Sequence, residues 1–92
     1  MRIAYDFDGV LFENDGTGVI GKPLPPGIEA LKKDAAAGHT VCVYTSRPWA
    51  EHAEIAARLL LQGVEIPVIC GKLKYDVFYD DRAERWPLNF GA

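Results

Sequence analysis

The chain has 92 residues, of which 49% are hydrophobic and 25% are charged, and its formal net charge is −3. A chain of this length buries about 60–65% of its unfolded surface, which is enough for one core, so we expect a single domain over residues 1–92. The acidic balance provides no general attraction to nucleic acid or to anionic membrane surfaces. Nucleic acid is therefore disfavoured as a partner, although the net charge does not exclude a local positive patch.

No apolar run approaches the ~20 residues that a membrane-spanning helix needs. The N-terminus enters a strand pattern directly, without the apolar core of a secretion signal. Cys42 and Cys70 each lie inside an apolar, strand-like segment, which indicates buried thiols rather than a disulfide or a metal pair. These features predict a cytoplasmic protein that keeps its thiols reduced.

Apolar segments that are β-prone alternate with amphipathic ones along the chain. The predicted strands are residues 3–7, 40–44, 64–69 and 76–79. The predicted helices are residues 26–37 and residues 46 to 61 or 62, with Ser46 as the N-cap of the second. The buried positions expected on these helices are Ile28, Leu31 and Ala35, and then Ala53, Ala56, Leu59 and Leu60.

The segment after the first strand predicts a small flap. Two short β-prone runs, residues 10–14 and 17–20, flank the pair Asp15-Gly16, which is a strong signal for a type I′ hairpin. With right-handed crossovers the whole pattern predicts an α/β fold. We expect a three-layer, Rossmann-like sandwich with a small, mostly parallel sheet in the order 3-2-1-4 and no cap domain.

Polar residues follow the tips of the predicted strands. The first strand ends in Asp6-Phe7-Asp8-Gly9, the second in Thr45-Ser46-Arg47 and the fourth in Asp80-Asp81, with Lys72 shortly before the fourth. In parallel α/β sheets, ligands bind at the carboxyl ends of the strands. Each motif alone is a common turn sequence, but their succession at strand tips indicates a functional site.

The predicted topology brings together four carboxylates, those of Asp6, Asp8, Asp80 and Asp81. Two unit charges 4 Å apart repel by about 4 kcal/mol at an effective dielectric constant near 20, and several such pairs exceed the net stability of a small domain, about 5–15 kcal/mol. A cation must therefore share the site. Oxygen ligands that leave positions open for water and phosphate are typical of Mg²⁺.

The same residue types suit phosphoryl transfer. A carboxylate beside Mg²⁺ can attack phosphorus to form an aspartyl-phosphate, and a carboxylate two residues further on can act as the acid and then the base. Lys72 can neutralise phosphate charge, while Thr45 or Ser46 and the backbone at the Gly9 turn can bind the other oxygens. Arg47 is a candidate phosphate ligand, with an ion pair to Asp81 or a helix-end role as alternatives.

These motifs resemble those of the haloacid dehalogenase (HAD) superfamily, in family order from residue 6 to residue 81. Asp6-Phe7-Asp8-Gly9-Val10 matches the first motif, which implies that Asp6 is the nucleophile and Asp8 the acid/base, with a metal-binding backbone carbonyl. Thr45 matches the phosphate-binding second motif. Lys72 matches the third, with Lys74 as the alternative, and Asp80-Asp81 matches the acidic, metal-binding fourth.

Within that family, an aspartate at the position of Asp8 goes with phosphatases and mutases. The short segments between motifs leave no room for a cap domain, so the chain is similar to the capless subgroup. An open site suits a phosphate on a bulky molecule, or a small substrate enclosed by a second copy of the chain. The resemblance implies a Mg²⁺-dependent phosphomonoesterase acting on a small metabolite such as a sugar phosphate or nucleotide. A nucleic-acid 3′-phosphatase and a non-catalytic metal- or phosphate-binding module are the alternatives.

Overall fold

The computed structural model describes residues 1–73, 77 and 79–83. It is a small α/β protein. Its elements are β1 (Arg2–Tyr5), α1 (Pro25–Ala36), β2 (Thr40–Tyr44), a 3-10 turn (Trp49–Glu51), α2 (His52–Leu61) and β3 (Val68–Ile69). No helix within these described ranges has the length and apolar character that a membrane span requires.

The sheet consists of three parallel strands in the order β1-β2-β3. Tyr5 pairs with Val43, and Val43 pairs with Val68 on the other side. This order agrees with the 3-2-1 part of the predicted sheet. Of the strand predicted at 76–79, Val77 and Tyr79 are exposed and lie in no strand. Asp76 and Phe78 lie outside the described residues, so the place of this strand beside β1 stays a prediction.

One face of the sheet carries the core. Tyr5, Val41 and Val43 are buried, whereas their neighbours Ala4 and Tyr44 are exposed, because successive side chains of a strand point to opposite faces. The buried residues of both helices join the same cluster. Within the described residues, α1 and α2 therefore supply the core on one side of the sheet, and a third layer of the predicted sandwich is not among them.

Helix α1 begins at Pro25, one residue before the predicted start. Pro25 and Pro26 occupy its first turn, where a proline loses no hydrogen bond and its fixed φ suits the helix. Of the three positions predicted to face the core, Ile28 and Leu31 are buried and Ala35 is exposed. The apolar stripe of α1 is thus narrower than the sequence pattern indicated.

Helix α2 begins at His52, so the prediction that Ser46 caps it is wrong. Pro48 has an extended backbone, with φ −69° and ψ 156°, and the residue before a proline avoids the helical region. The later start also changes the buried face. Among the four predicted core positions of α2 only Leu59 is buried, while Ala56 is half-buried and Ala53 and Leu60 are exposed; Ile55 is the other buried residue.

The segment around Asp15-Gly16 forms a wider loop than the predicted two-residue hairpin. The Glu13 N–H donates to the Lys22 carbonyl at 2.8 Å, and the Leu24 N–H donates to the Leu11 carbonyl at 2.8 Å. These bonds flank a single antiparallel bridge between Phe12 and Pro23. The two sides of the loop are therefore paired at its base, where residues 11–13 meet residues 22–24. No regular strands form at 10–14 or 17–20.

Both cysteines are free thiols, as predicted. Cys70 is buried and Cys42 is half-buried. Burial raises the pKa of each thiol above its usual value, because a low-dielectric surrounding disfavours the thiolate. The raised pKa favours the protonated thiol, which is a weaker nucleophile than the thiolate.

A hydrogen bond from the Tyr5 hydroxyl to the Asp34 carboxylate joins β1 to α1. Burial, and then this bond, raise the pKa of Tyr5 above its usual value of 10.0. The unfolded chain ionises at the usual pKa while folded Tyr5 keeps its proton. The stability that this group contributes is therefore present below about pH 10 and falls as the pH rises above it.

Tyr5→Phe should lower the free energy of unfolding by about 1 kcal/mol at neutral pH, since a hydrogen bond is lost. The difference in the free energy of unfolding between the wild type and Tyr5→Phe should become smaller above about pH 10. Only the wild type loses stability there, because its folded state keeps Tyr5 protonated while its unfolded state ionises. Urea unfolding at both pH values measures this. Tyr79→Phe, at a residue that is 93% exposed, is the control. A stability difference between the wild type and Tyr5→Phe that grows at high pH would contradict the hydrogen bond between Tyr5 and Asp34.

Candidate functional site

The ends of the three strands meet at one edge of the sheet. Asp6 follows β1, Thr45 follows β2 and Lys72 comes shortly after β3. The Thr45 N–H donates to the Ile69 carbonyl and the Lys72 N–H donates to the Thr45 carbonyl, each at 2.9 Å. Pairing between β2 and the chain after β3 thus continues past the strands, and it fixes the backbone of Lys72 beside Thr45.

The side chain of Lys72 reaches across the sheet to Asp6. Its Nζ lies 3.4 Å from Asp6 Oδ1, and the same oxygen accepts the Phe7 N–H at 2.8 Å. The Asp6 side chain is 44% exposed and that of Lys72 is 20% exposed. Lys72 Nζ also stands 5.5 Å from the centroid of the Tyr44 ring. The pair therefore presents an accessible carboxylate with an ammonium group beside it.

A tight turn after Asp6 places the second aspartate. Gly9 has φ +83°, a conformation that favours glycine, and its N–H donates to the Phe12 carbonyl at 2.7 Å. The rings of Phe7 and Phe12 are buried and stack with centroids 4.7 Å apart. The turn that carries Asp8 is thus anchored in the core from both of its ends.

The Asp8 carboxylate is bound by Arg47. Arg47 Nε donates to Asp8 Oδ2 at 2.9 Å and Nη2 donates to Oδ1 at 2.8 Å. The third nitrogen, Nη1, donates to the Gly18 carbonyl and to Glu51 Oε1, each at 2.8 Å. The hydrogen bond to Asp8 raises the pKa of Arg47 above its usual value, and Glu51 adds to this. Arg47 therefore pairs with Asp8 and Glu51, and the alternative of a pair with Asp81 is not what the structure contains.

Thr45 is the buried polar residue of the site. Its side chain is fully enclosed, and its Oγ1 accepts the Arg47 N–H at 3.1 Å. The hydroxyl hydrogen remains available as a donor, since this bond uses only a lone pair of the oxygen. Ser46 is half-buried in the same loop. The loop from Thr45 to Arg47 thus joins the second and third strand ends to the turn that carries Asp8.

The predicted cluster of four aspartates is not assembled. Asp80 and Asp81 are exposed, and Asp80 Oδ1 accepts the Arg82 N–H at 2.7 Å. In the part of the chain that the structure describes, no three acidic, histidine or cysteine side chains lie where they can hold one metal ion. The positive charge that the repulsion argument required is supplied to Asp8 by Arg47 and to Asp6 by Lys72. Lys74, the alternative site lysine, lies outside the described residues.

The residue types at the strand ends are oxygen donors of the kind that Mg²⁺ takes, although the described side chains do not meet as a metal site. Asp6 offers a carboxylate that is 44% exposed, and Asp80 and Asp81 carry exposed carboxylates. Mg²⁺ binds proteins through one or two carboxylates, with waters and substrate phosphate completing its shell. Asp8 differs, because both of its carboxylate oxygens accept from Arg47.

Sequence reasoning missed the two groups that hold Arg47 in place, the Glu51 carboxylate and the Gly18 carbonyl. Arg47 and Glu51 have the i, i+4 spacing of a helical ion pair, so this contact could have been predicted from the sequence. Nothing in the sequence indicated the contact with Gly18, because it joins the loop after β1 to the loop after β2.

Comparison with known proteins supports the fold. No family model matches the chain, and no curated protein matches it. The chain is similar to the solved structure of a conserved protein coded by a locus from Bacteroides thetaiotaomicron, with a TM-score of 0.66 and 28% sequence identity. The match covers 90% of this chain and 77% of that one. The class that these observations define is a small α/β protein with a parallel sheet and polar strand ends.

Proposed function

We propose that this protein is a phosphomonoester hydrolase of the HAD type, which forms an aspartyl-phosphate on Asp6. The observation that carries the proposal is the contact of 3.4 Å between Lys72 Nζ and Asp6 Oδ1. A carboxylate nucleophile must meet a phosphate dianion, and a fixed ammonium group offsets their repulsion. The exposure of the Asp6 side chain leaves a path for the substrate.

In the first step an oxygen of Asp6 forms a bond to phosphorus, while the bond to the leaving oxygen breaks and that oxygen receives a proton from Asp8. In the second step Asp8 removes a proton from water, the water oxygen bonds to phosphorus, and the bond to Asp6 breaks. The products are the alcohol and inorganic phosphate, and Asp6 returns to its carboxylate form. Ser46 would bind phosphoryl oxygens during both steps. Thr45, whose side chain is fully enclosed, and Gly9, whose N–H donates to the Phe12 carbonyl, would reach the phosphoryl group only after a local rearrangement.

Mg²⁺ is the proposed cofactor. Asp6, the backbone carbonyl of Asp8 and a carboxylate from Asp80 or Asp81 are the groups that would hold it, and it would neutralise negative charge on the phosphoryl group. The oxygen donors and the solvent access of these carboxylates support this choice.

The proposed substrate is a small phosphorylated metabolite such as a sugar phosphate or nucleotide. In the capless arrangement, with a fourth strand beside β1 and the loop of residues 10–24 as the flap, the active site is open to solvent. A panel of sugar phosphates, nucleotides and 3′-phosphorylated oligonucleotides, assayed at low salt with Mg²⁺, tests the substrate class. Preference for the oligonucleotides would favour a nucleic-acid 3′-phosphatase instead.

Lys72→Ala should lower kcat/KM by about 10²–10³-fold, since it removes a positive charge from the reacting phosphoryl group. If Lys72 is the site lysine, the alternative lysine does not act on the phosphoryl group, and Lys74→Ala should alter kcat/KM by no more than about twofold. Steady-state phosphate release with an aryl phosphate measures both. Equal losses in the two variants, or a larger loss at Lys74, would show that the site lysine has been wrongly assigned.

A further inference from the structure

The ion pair between Arg47 and Asp8 is incompatible with acid catalysis by Asp8. Nε and Nη2 of Arg47 each donate to a different oxygen of the carboxylate, at 2.9 and 2.8 Å. A carboxylate that accepts on both oxygens from a guanidinium group is ionised and has no proton to donate. The arrangement must therefore change before Asp8 can protonate a leaving group.

The guanidinium group of Arg47 has a second set of partners, which do not involve Asp8. Nη1 donates to the Gly18 carbonyl and to Glu51 Oε1, each at 2.8 Å, and the Arg47 N–H donates to Thr45 Oγ1 at 3.1 Å. None of these three bonds involves Asp8, so a movement of Asp8 would not by itself break them. The guanidinium edge formed by Nε and Nη2 would then keep its position, and these two nitrogens could donate to another acceptor in place of Asp8.

A phosphoryl group matches that edge. The guanidinium fork binds carboxylate and phosphate in the same bidentate geometry, and a phosphomonoester carries about −1.5 to −2 charges at neutral pH against one for a carboxylate. Arg47 comes two residues after Thr45, at the strand end proposed to bind phosphate. The Asp8 side chain is 20% exposed, so an anion can approach its place from solvent.

We propose that Arg47 exchanges the Asp8 carboxylate for the phosphoryl group of the substrate. Once released, Asp8 takes up a proton from solvent and can then act as the acid, and afterwards as the base, only when a substrate is bound. This inference rests on the proposed phosphatase function. It gives Arg47 two roles, since it binds the phosphoryl group and it positions Asp8.

A double-mutant cycle with inorganic phosphate as the probe tests the exchange without turnover. Calorimetric titrations would compare the wild type, Asp8→Asn, Arg47→Gln and the double variant. Asp8→Asn should tighten phosphate binding about tenfold in the wild-type background, because the competing carboxylate is lost, and about twofold or less in the Arg47→Gln background. Mere removal of a nearby negative charge would give the same gain in both backgrounds, and that result would overturn the proposal.

The unmodified protein provides a second test that does not depend on the folding of a variant. In an NMR titration the Arg47 Nε–H resonance should shift as phosphate saturates, since its acceptor changes from carboxylate to phosphate. A resonance that stays unchanged at saturation overturns the exchange. Turnover without the exchange would reject this inference alone. The exchange without turnover of any phosphomonoester would reject the proposed function alone.

Discussion

Asp6→Asn should abolish phosphate release, with a loss of at least about 10³-fold in kcat, because the amide cannot form the covalent intermediate. The folded structure should survive this change. Asp6 is half-exposed, and its ion pair with Lys72 spans 3.4 Å, so we expect a loss of less than about 1 kcal/mol in the free energy of unfolding. Phosphate release from an aryl phosphate with Mg²⁺, together with urea unfolding, measures both quantities.

A matched control for Asp6→Asn is Glu29→Gln, which removes one negative charge from an exposed position on α1. It should leave kcat within about twofold of the wild type, since a solvated charge away from the site is screened by salt. Activity that persists in Asp6→Asn would remove the covalent role of this residue. A loss of activity that is accompanied by unfolding would show instead that Asp6 is structural.

Gly27→Ala should destabilise the protein by about 3 kcal/mol, as an overpacked core does. A Cβ atom at Gly27 would lie 1.8 Å from the Val10 carbonyl oxygen and 2.7 Å from its carbon, so the backbone on one side must move. For a domain of this size the loss corresponds to a fall in Tm of roughly 12–24 °C. A glycine-to-alanine change inside a helix normally stabilises a protein by up to about 1 kcal/mol. A loss of stability in Gly27→Ala would therefore show that the close contact with the Val10 carbonyl outweighs the helix propensity of alanine.

Glu29→Ala, two residues later in the same helix and exposed, is the control for the helix propensity of alanine. It should change the free energy of unfolding by less than about 0.5 kcal/mol. Because Val10 lies in the turn that carries Asp8, we also expect Gly27→Ala to reduce phosphate release below the melting temperature. A Gly27→Ala protein as stable as the wild type would show that α1 does not approach the Val10 carbonyl so closely.

Strand β2 was the most predictable element of the fold. The prediction for β2, residues 40–44, is confirmed without change, because a short apolar run between polar turns has no competing interpretation. In contrast, β1 (Arg2–Tyr5) ends two residues before the predicted 3–7 does, and β3 (Val68–Ile69) keeps only the last two residues of the predicted 64–69. The start of α2 was wrong, since Pro48 excludes the helical region for the residue before it. The loop around Asp15-Gly16 was predicted from the turn residues alone, whereas its width follows from the pairing of Phe12 with Pro23.

The part of the candidate site that could be predicted is the set of residues whose positions are fixed by the ends of the strands. Asp6, Thr45 and Lys72 lie at neighbouring strand ends as expected, because parallel strands place their carboxyl ends at one edge. The partner of Asp8 was not predictable in this way. Charge repulsion indicated that something positive must be near, but only the three-dimensional arrangement shows that Arg47 occupies both carboxylate oxygens.

The most direct test is to trap the phosphorylated protein. Asp8→Asn lacks the base that activates water but keeps Asp6, and an aryl phosphate has a leaving group that needs little help from an acid. After acid quenching, mass spectrometry should find one phosphoryl group on the peptide that contains Asp6, and none in the double variant that also carries Asp6→Asn. Phosphate release by the wild type with no phosphoryl group on Asp6 in the trapping variant, or with the group on another residue, would contradict the account.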